Sequence, residues 1–310
     1  MRFLISRLSA LGDTVCSLPA AVALKGRFPD CHITWVVDPR FAGIVECCSA
    51  VDEIYRYKPK VGQWPKIDGP FDVAMDLQGL AKSSLPVLFA KAKQKVGYHW
   101  QREGAGLASS AVLPDPTSFH VVDQYVDVAR SVGAVADRAA FGLVPKQEDI
   151  LSVRAKLKQN GISGRFVVLN AGAGWATKRW PATHFARLAD LIHGEGVPCV
   201  LVGGGADADR AAAEEVTGRA DNAPVNLLGQ TSVRELVALI RLASAHIGGD
   251  TGSSHIAAAL DVPAIGLYGI TNPRRSCPYG QIERCHYEPL GLDRIRPEDV
   301  FESVRQVLAA

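Results

Sequence analysis

The run Gly248-Gly249-Asp250-Thr251-Gly252-Ser253-Ser254-His255 concentrates small residues, hydroxyls, a carboxylate and an imidazole within one turn of chain. Between a strand and an alanine-rich helix, such a turn brings backbone N–H groups and the positive end of a helix dipole up to a phosphate. Gly252 permits close approach, Thr251, Ser253 and Ser254 add hydroxyl donors, and His255 stands one turn in, where it can face a ligand. The plainer reading is a well-capped helix, with Asp250 or Thr251 as the cap and His255 packed inside.

A second segment, from Asn170 to Pro181, carries Gly172 and Gly174 ahead of Lys178 and Arg179, two cations suited to a diphosphate. Trp175 and Trp180 are placed to stack on a ring or to fill the core. The third glycine of a dinucleotide fingerprint and the Lys-Ser/Thr pair of a P-loop are both missing. A third segment, from Val202 to Asp209, closes on Asp207-Ala208-Asp209. Acids there complement a helix dipole, and an Asp-x-Asp pair can also mimic a metal–diphosphate motif.

In the first half, Ser9-Ala10-Leu11-Gly12-Asp13-Thr14 follows the first apolar run. Asp13 is a candidate general base there, or an N-cap for the next helix. Asp76 to Ser83 likewise joins a strand to a helix, with Gln78 and Lys82 available to an acceptor. The loop from Gly97 to Glu103 adds Trp100 and Arg102, a polar and aromatic group able to grip a sugar or an anion.

The elements that must carry these residues read as an alternating α/β pattern. Strands are expected at Phe3 to Ser6, His32 to Val37, Ile54 to Tyr57, Phe71 to Leu77 and Lys95 to Tyr98, with helices at Ala20 to Phe28 and Leu80 to Ala90 between them. The second half repeats this with strands at Phe166 to Asn170, Cys199 to Gly203, His246 to Gly249 and Ala264 to Tyr268. Its helices open at Pro181, at Ser232 and at Ser253. Apolar strands separated by helices predict doubly wound parallel sheets. A polar stretch opened by Pro145 divides the chain, giving domains 1–145 and 146–295 expected to face each other across a cleft. The last helix, Pro297 to Leu308 within a tail of 296–310, is expected to cross back onto the first domain.

Composition bounds the partners. With 310 residues, 47% hydrophobic and 21% charged, the chain can build two cores, and a net charge of +2 leaves no broad basic face for nucleic acid. Attraction to an acidic partner must be local. The apolar run at the N-terminus is broken by Arg7, and no stretch reaches the roughly 18–20 apolar residues of a membrane span. Cytoplasmic residence with at most peripheral contact at the inner face of the inner membrane is the expectation. Seven cysteines at irregular spacing read as small buried residues.

Taken together and in order, these segments resemble the family 9 glycosyltransferases, the bacterial heptosyltransferases of lipopolysaccharide core assembly. The resemblance rests on Leu11-Gly12-Asp13 with Leu18-Pro19-Ala20, Trp35-Val36-Val37, Asp76-Leu77-Gln78-Gly79-Leu80 with Lys82-Ser83, and Trp100 to Glu103. In the second half it rests on Lys178-Arg179-Trp180-Pro181, Asp250-Thr251-Gly252 with Ser254-His255, and Tyr268-Gly269 with Thr271-Asn272-Pro273. It implies a GT-B architecture of two Rossmann-like domains and an inverting, metal-independent transfer of heptose from ADP-heptose to a lipopolysaccharide or related glycolipid acceptor. Asp13 would be the base. Lys178, Asp250, Thr251, Gly252, Ser254, His255 and Asp207 would bind the donor, Gln78, Lys82 and Arg102 would lie on the acceptor side, and no cofactor beyond the nucleotide sugar is implied. The segment from Tyr55 to Gly69 departs from the best-known members, which carry a longer basic stretch there.

Rival readings are a dinucleotide enzyme, a nucleotide-sugar epimerase or a transferase of another sugar on the same scaffold, and a binding module without turnover. The dinucleotide reading lacks an early Gly-x-Gly-x-x-Gly, where Arg7-Leu8-Ser9-Ala10-Leu11-Gly12 stands instead.

Overall fold

The computed structural model describes residues 1–60, 62–136, 139–172 and 178–309. The chain divides into two compact units, Met1–Val144 and Pro145–Ala310.

In the first unit the strands β1 (Arg2–Ser6), β2 (His32–Val37), β3 (Glu53–Arg56), β4 (Phe71–Asp76), β5 (Ala92–Tyr98) and β6 (Ser110–Val112) form one sheet in the order β3-β2-β1-β4-β5-β6. All its strand pairs are parallel. Burial on both faces explains why Phe3, Leu4 and Ile5 are consecutive and apolar. The helix after β1, α1 (Leu11–Arg27), begins directly behind the first strand and keeps Pro19 inside it, so it starts well before the expected Ala20. Helix α3 (Ala81–Phe89) follows β4, and α4 (Val121–Arg130) packs on α1. The chain order reverses between β1 and β4, where Ser6 pairs with Asp76. The loops leaving these two strands therefore splay apart at the carboxyl edge, the place where such sheets bind ligands.

The second unit repeats that order. Strands β7 (Val167–Asn170), β8 (Cys199–Leu201), β9 (Val225–Asn226), β10 (Ala245–Gly248), β11 (Ala264–Tyr268) and β12 (Cys285–Tyr287) run β12-β11-β10-β7-β8-β9, with parallel pairs throughout. Its reversal lies between β7 and β10, where Asn170 pairs with Gly248. One core layer gathers Val167, Leu169, Phe185, Leu188 and Ile247, and the opposite layer gathers Val168, Val200, Phe166 and Leu239. Helix α8 (Val233–Leu242) opens on the anticipated cap: Ser232 Oγ accepts from Glu235 N–H at 3.2 Å while Glu235 accepts from Ser232 N–H at 2.9 Å.

The last helix, α11 (Pro297–Ala309), packs on α6 (Ala182–Gly194) of the second unit, placing Val300 and Val304 in that core, with Trp180 Nε1 donating to Ile295 O at 2.9 Å just ahead of it. Its apolar stripe finds cover there.

Candidate functional site

Asp13, Gln78 and Lys82 fall beside the reversal of the first sheet, and Lys178, Asp250, Thr251, Gly252, Ser254 and His255 beside that of the second. In the first unit Asp13 lies in the first turn of α1, two residues inside the helix start, so it is not the N-cap. Its Oδ2 reaches Ala10 N–H only at 3.4 Å, and its main partner is Arg7, whose Nη2 stands at 2.9 Å. The two ends differ in environment: the Arg7 side chain is 5% exposed, the Asp13 side chain 50%. Arg7 is fixed from three sides, since Nη1 donates to Leu77 O at 2.5 Å and the guanidinium lies over the Tyr125 ring at 5.2 Å. Burial works against its charge, but Tyr125, Asp13 and Asp76 around it outweigh that and raise its pKa. A half-exposed carboxylate is thus held by an immobile cation at a sheet edge.

The predicted acceptor-side residues meet on the same loop. Gln78 Oε1 accepts from Leu8 N–H at 2.9 Å and from Ser9 N–H at 3.3 Å, and Lys82 Nζ donates to Ser9 Oγ at 2.9 Å. Both knit the turn that carries Asp13. Arg102 joins them through its backbone, donating to Gly79 O at 2.8 Å, while its guanidinium stacks on the exposed Trp100 at 5.4 Å. Gly79 is required there: its φ is +71°, and a Cβ would stand 2.4 Å from Trp100 O. Beneath this turn Asp76 is buried, accepting from Gln78 and Gly79 N–H at 2.9 and 3.0 Å; burial pushes its carboxyl pKa up against these bonds.

In the second unit the anticipated turn opens helix α9 (Gly252–Ala259), with Thr251 as N-cap residue. Lys178 Nζ lies 2.7 Å from Asp250 Oδ2, and His255 Nε2 lies 3.5 Å from Asp250 Oδ1. Burial opposes ionisation of Asp250, yet His255 and Lys178 prevail and hold its pKa down to about 2. The charge of this acid is thus matched within the turn. Ser254 Oγ donates to Gly249 O at 2.7 Å, and Thr251 Oγ1 lies 3.1 and 3.2 Å from Ser253 and Ser254 Oγ.

Sequence reasoning missed what sits behind this turn. Asn170, at the end of β7, donates through Nδ2 to Ser253 Oγ at 2.7 Å and accepts through Oδ1 from Gly172 N–H at 3.0 Å, tying the turns after β7 and β10 together. His246 Nε2 lies 2.9 Å from Ser253 Oγ, and complete burial, with His255 nearby, holds His246 neutral by lowering its pKa to about 3. A polar residue within a short apolar strand was the available signal for both.

Asp207 is fully exposed, with Arg210 Nε at 3.7 Å, and does not join the cluster. The acid that turns inward is Asp209, whose carboxylate lies 2.7 Å from where a Gly172 Cβ would stand and 2.8 Å from that of Gly204. First-turn residues two apart on a helix point in different directions, and only Asp209 faces the strand ends. Of the glycine-rich loop, residues 173–177, with Gly174 and Trp175, lie outside the described residues. Trp180 is buried and fills the core. All seven cysteines are free thiols, six of them buried.

The chain is 26% identical over 287 residues to the lipopolysaccharide core heptosyltransferase OpsX of Haemophilus influenzae, covering 90% of this chain and 82% of that one. Among solved structures, a glycosyl transferase family 9 protein from Veillonella parvula superposes with a TM-score of 0.86 at 21% identity, covering 99% of this chain and 97% of that one. The Escherichia coli heptosyltransferase WaaC with ADP-2-deoxy-2-fluoro heptose superposes with a TM-score of 0.77 at 23% identity, covering 99% of each chain. These likenesses establish the fold as the two-domain GT-B type. The model of glycosyltransferase family 9 (heptosyltransferase) matches residues 66–292, a span that runs from before β4 to beyond β12 and takes in the β7–β10 reversal. With most of its length inside that match, the chain is a glycosyltransferase and belongs to family 9.

Proposed function

We propose that this enzyme transfers a heptose from ADP-heptose to a lipopolysaccharide core or related glycolipid acceptor, inverting the anomeric centre without a metal ion. The observation that carries the donor half is Lys178 beside the first turn of α9, at the carboxyl end of the β7–β10 reversal. A diphosphate there meets an ammonium, the N–H groups of Gly252, Ser253 and Ser254, and the Thr251 hydroxyl. As the sugar–oxygen bond breaks, negative charge collects on the departing diphosphate, and these fixed donors stabilise it. Asp250, paired through Oδ2 with Lys178 and through Oδ1 with His255, aims the lysine at that turn.

Asp13 takes the proton from the acceptor hydroxyl as that oxygen attacks the anomeric carbon. A single displacement of this kind inverts the configuration. Arg7 holds the carboxylate, while half its surface stays open to the incoming hydroxyl. The relatives support the substrates: one is named as acting in lipopolysaccharide core assembly, and another was solved with a fluorinated ADP-heptose.

The test is transfer from ADP-heptose to truncated lipopolysaccharide in the presence of a chelator, with Asp13→Asn alongside and ADP binding followed by calorimetry. Chelator-resistant transfer that drops about a hundredfold or more in the variant, with ADP affinity kept, is the expected result. Failure to bind ADP would move the donor to another nucleotide sugar. Free heptose or an epimer released without acceptor would move the reaction to the epimerase class.

A further inference from the structure

Helix α3 buries Val87 in the core yet leaves two large apolar side chains in solvent at its carboxyl end. A helix lying on a doubly wound sheet normally buries its apolar side chains and turns its polar ones to solvent. Here Ser83 and Ser84 are buried, whereas Leu88 and Phe89 are 45% and 46% exposed. The exposed surface continues onto Trp64, itself 61% exposed, whose ring lies 5.2 Å from that of Phe89. Two large aromatic rings packed against each other in solvent at a tilt of 42°, beside an outward leucine, form an apolar patch that folding of this unit does not explain.

The rim of the patch is basic. Lys66 lies two residues from Trp64, and Lys91 two residues from Phe89; both are exposed, and Asp68 is the exposed acid beside Lys66. Lys95 lays its stem along the same helix end, with Nζ donating to Leu88 O at 2.8 Å. Lys93 is offset by Asp72, at 2.6 Å. Aromatic and leucine side chains surrounded by lysines match the water–bilayer boundary, where rings enter the headgroup layer and ammonium groups meet anionic lipid. The chain's overall charge of only +2 makes this concentration local.

We infer that Trp64, Leu88 and Phe89, rimmed by Lys66, Lys91 and Lys95, form a docking surface for an anionic lipid bilayer. The chain rests on the membrane through this patch without crossing it; no helix among the described residues is long and apolar enough to span one. The inference goes beyond the sugar-transfer reading and stands without it.

The test is co-sedimentation of the full chain with vesicles of phosphatidylglycerol and phosphatidylcholine, about one to three, against phosphatidylcholine alone. Binding is expected only to the anionic vesicles, weakening as salt is raised. Lys66→Gln and Lys91→Gln should each weaken it about fivefold, and Trp64→Ala about tenfold. Brominated lipid should quench tryptophan fluorescence in the native chain, and the quenching should be lost in Trp64→Phe, a change too conservative to unfold the unit. Transfer to a deacylated, water-soluble acceptor is measured in the same variants and should be unchanged, which separates failure of this surface from failure of the transfer reading. Equal binding to both vesicle types, quenching retained in Trp64→Phe, or a dimer that Phe89→Ser dissociates while vesicle binding persists would each overturn the inference.

Discussion

Arg7 Nη2 stands 2.9 Å from Asp13 Oδ2, a buried cation gripping a half-exposed carboxylate across the first turn of α1. Because Leu77 O and the Tyr125 ring hold the guanidinium, the pair has little freedom to drift, and the carboxylate is aimed before any substrate arrives. Arg7→Met should lower kcat by about tenfold to a hundredfold while the KM for the nucleotide sugar stays within about twofold, with Arg7→Lys intermediate. Steady-state kinetics on the three proteins decide it. A rise in the donor KM with kcat unchanged would place Arg7 outside the chemical step.

Asp250 and Glu235 are both held at a pKa of about 2, below the ordinary carboxylate range. In Glu235 burial opposes this, and Lys156, Ser152 and Ser232 N–H overcome it. A carboxylate whose folded pKa is depressed adds stability that is complete above its unfolded pKa and disappears as pH falls through the folded one. The second unit should therefore lose stability between about pH 4 and pH 2, by about 2 kcal/mol for each group. Urea unfolding across that range, repeated with Glu235→Gln, should show the variant less stable at neutral pH and less sensitive to acid.

His246 acts in a higher window. Its folded pKa of about 3 lies below the ordinary imidazole value of about 6.5, so the unfolded chain takes up a proton that the folded chain refuses. Stability is complete above about pH 6.5 and declines as pH falls from there toward 3. His246→Gln should flatten that decline in a thermal unfolding series, and it should weaken ADP binding by about tenfold through the lost grip on Ser253. A slope identical to that of the native chain would show that another group titrates.

Gly79→Ala should be poorly tolerated for two independent reasons. The residue has φ of +71°, and the added methyl would collide with Trp100 O. A loss of about 1–3 kcal/mol is expected, with the loop bearing Arg102 displaced. Gly205→Ala, where nothing lies within 4 Å, is the control and should stay within about 0.5 kcal/mol. Chemical denaturation of the two variants gives the comparison directly.

The central strands were legible because each is a continuous apolar run: His32–Val37 and Ala264–Tyr268 match their expected bounds. The edge strands Ser110–Val112, Val225–Asn226 and Cys285–Tyr287 were not, since a short edge strand buries little and need not be apolar. The start of α1 was hidden by Pro19, which reads as a boundary yet lies buried inside the helix. In the site, the turns themselves could be read, because small residues, hydroxyls and cations concentrate there. Side-chain direction could not, as Asp207 and Asp209 show, and neither could Gln78 and Lys82, whose polar ends are already bonded to the Ser9 turn. Contacts between residues some 70 positions apart depend on which strands lie side by side, and that order is absent from any local pattern.

The identical strand order in the two units has a consequence for how such an enzyme can change. Each half supports its loops on its own sheet, so altering the turns after β7 and β10 leaves the framework under Asp13 untouched, and the reverse holds for the turns after β1 and β4. Under the assignment proposed above, the two recognition tasks can therefore diversify separately, one half drifting toward a new acceptor while the other keeps its nucleotide, and chimeras joined at Val144–Pro145 are the natural material in which to exchange one specificity at a time.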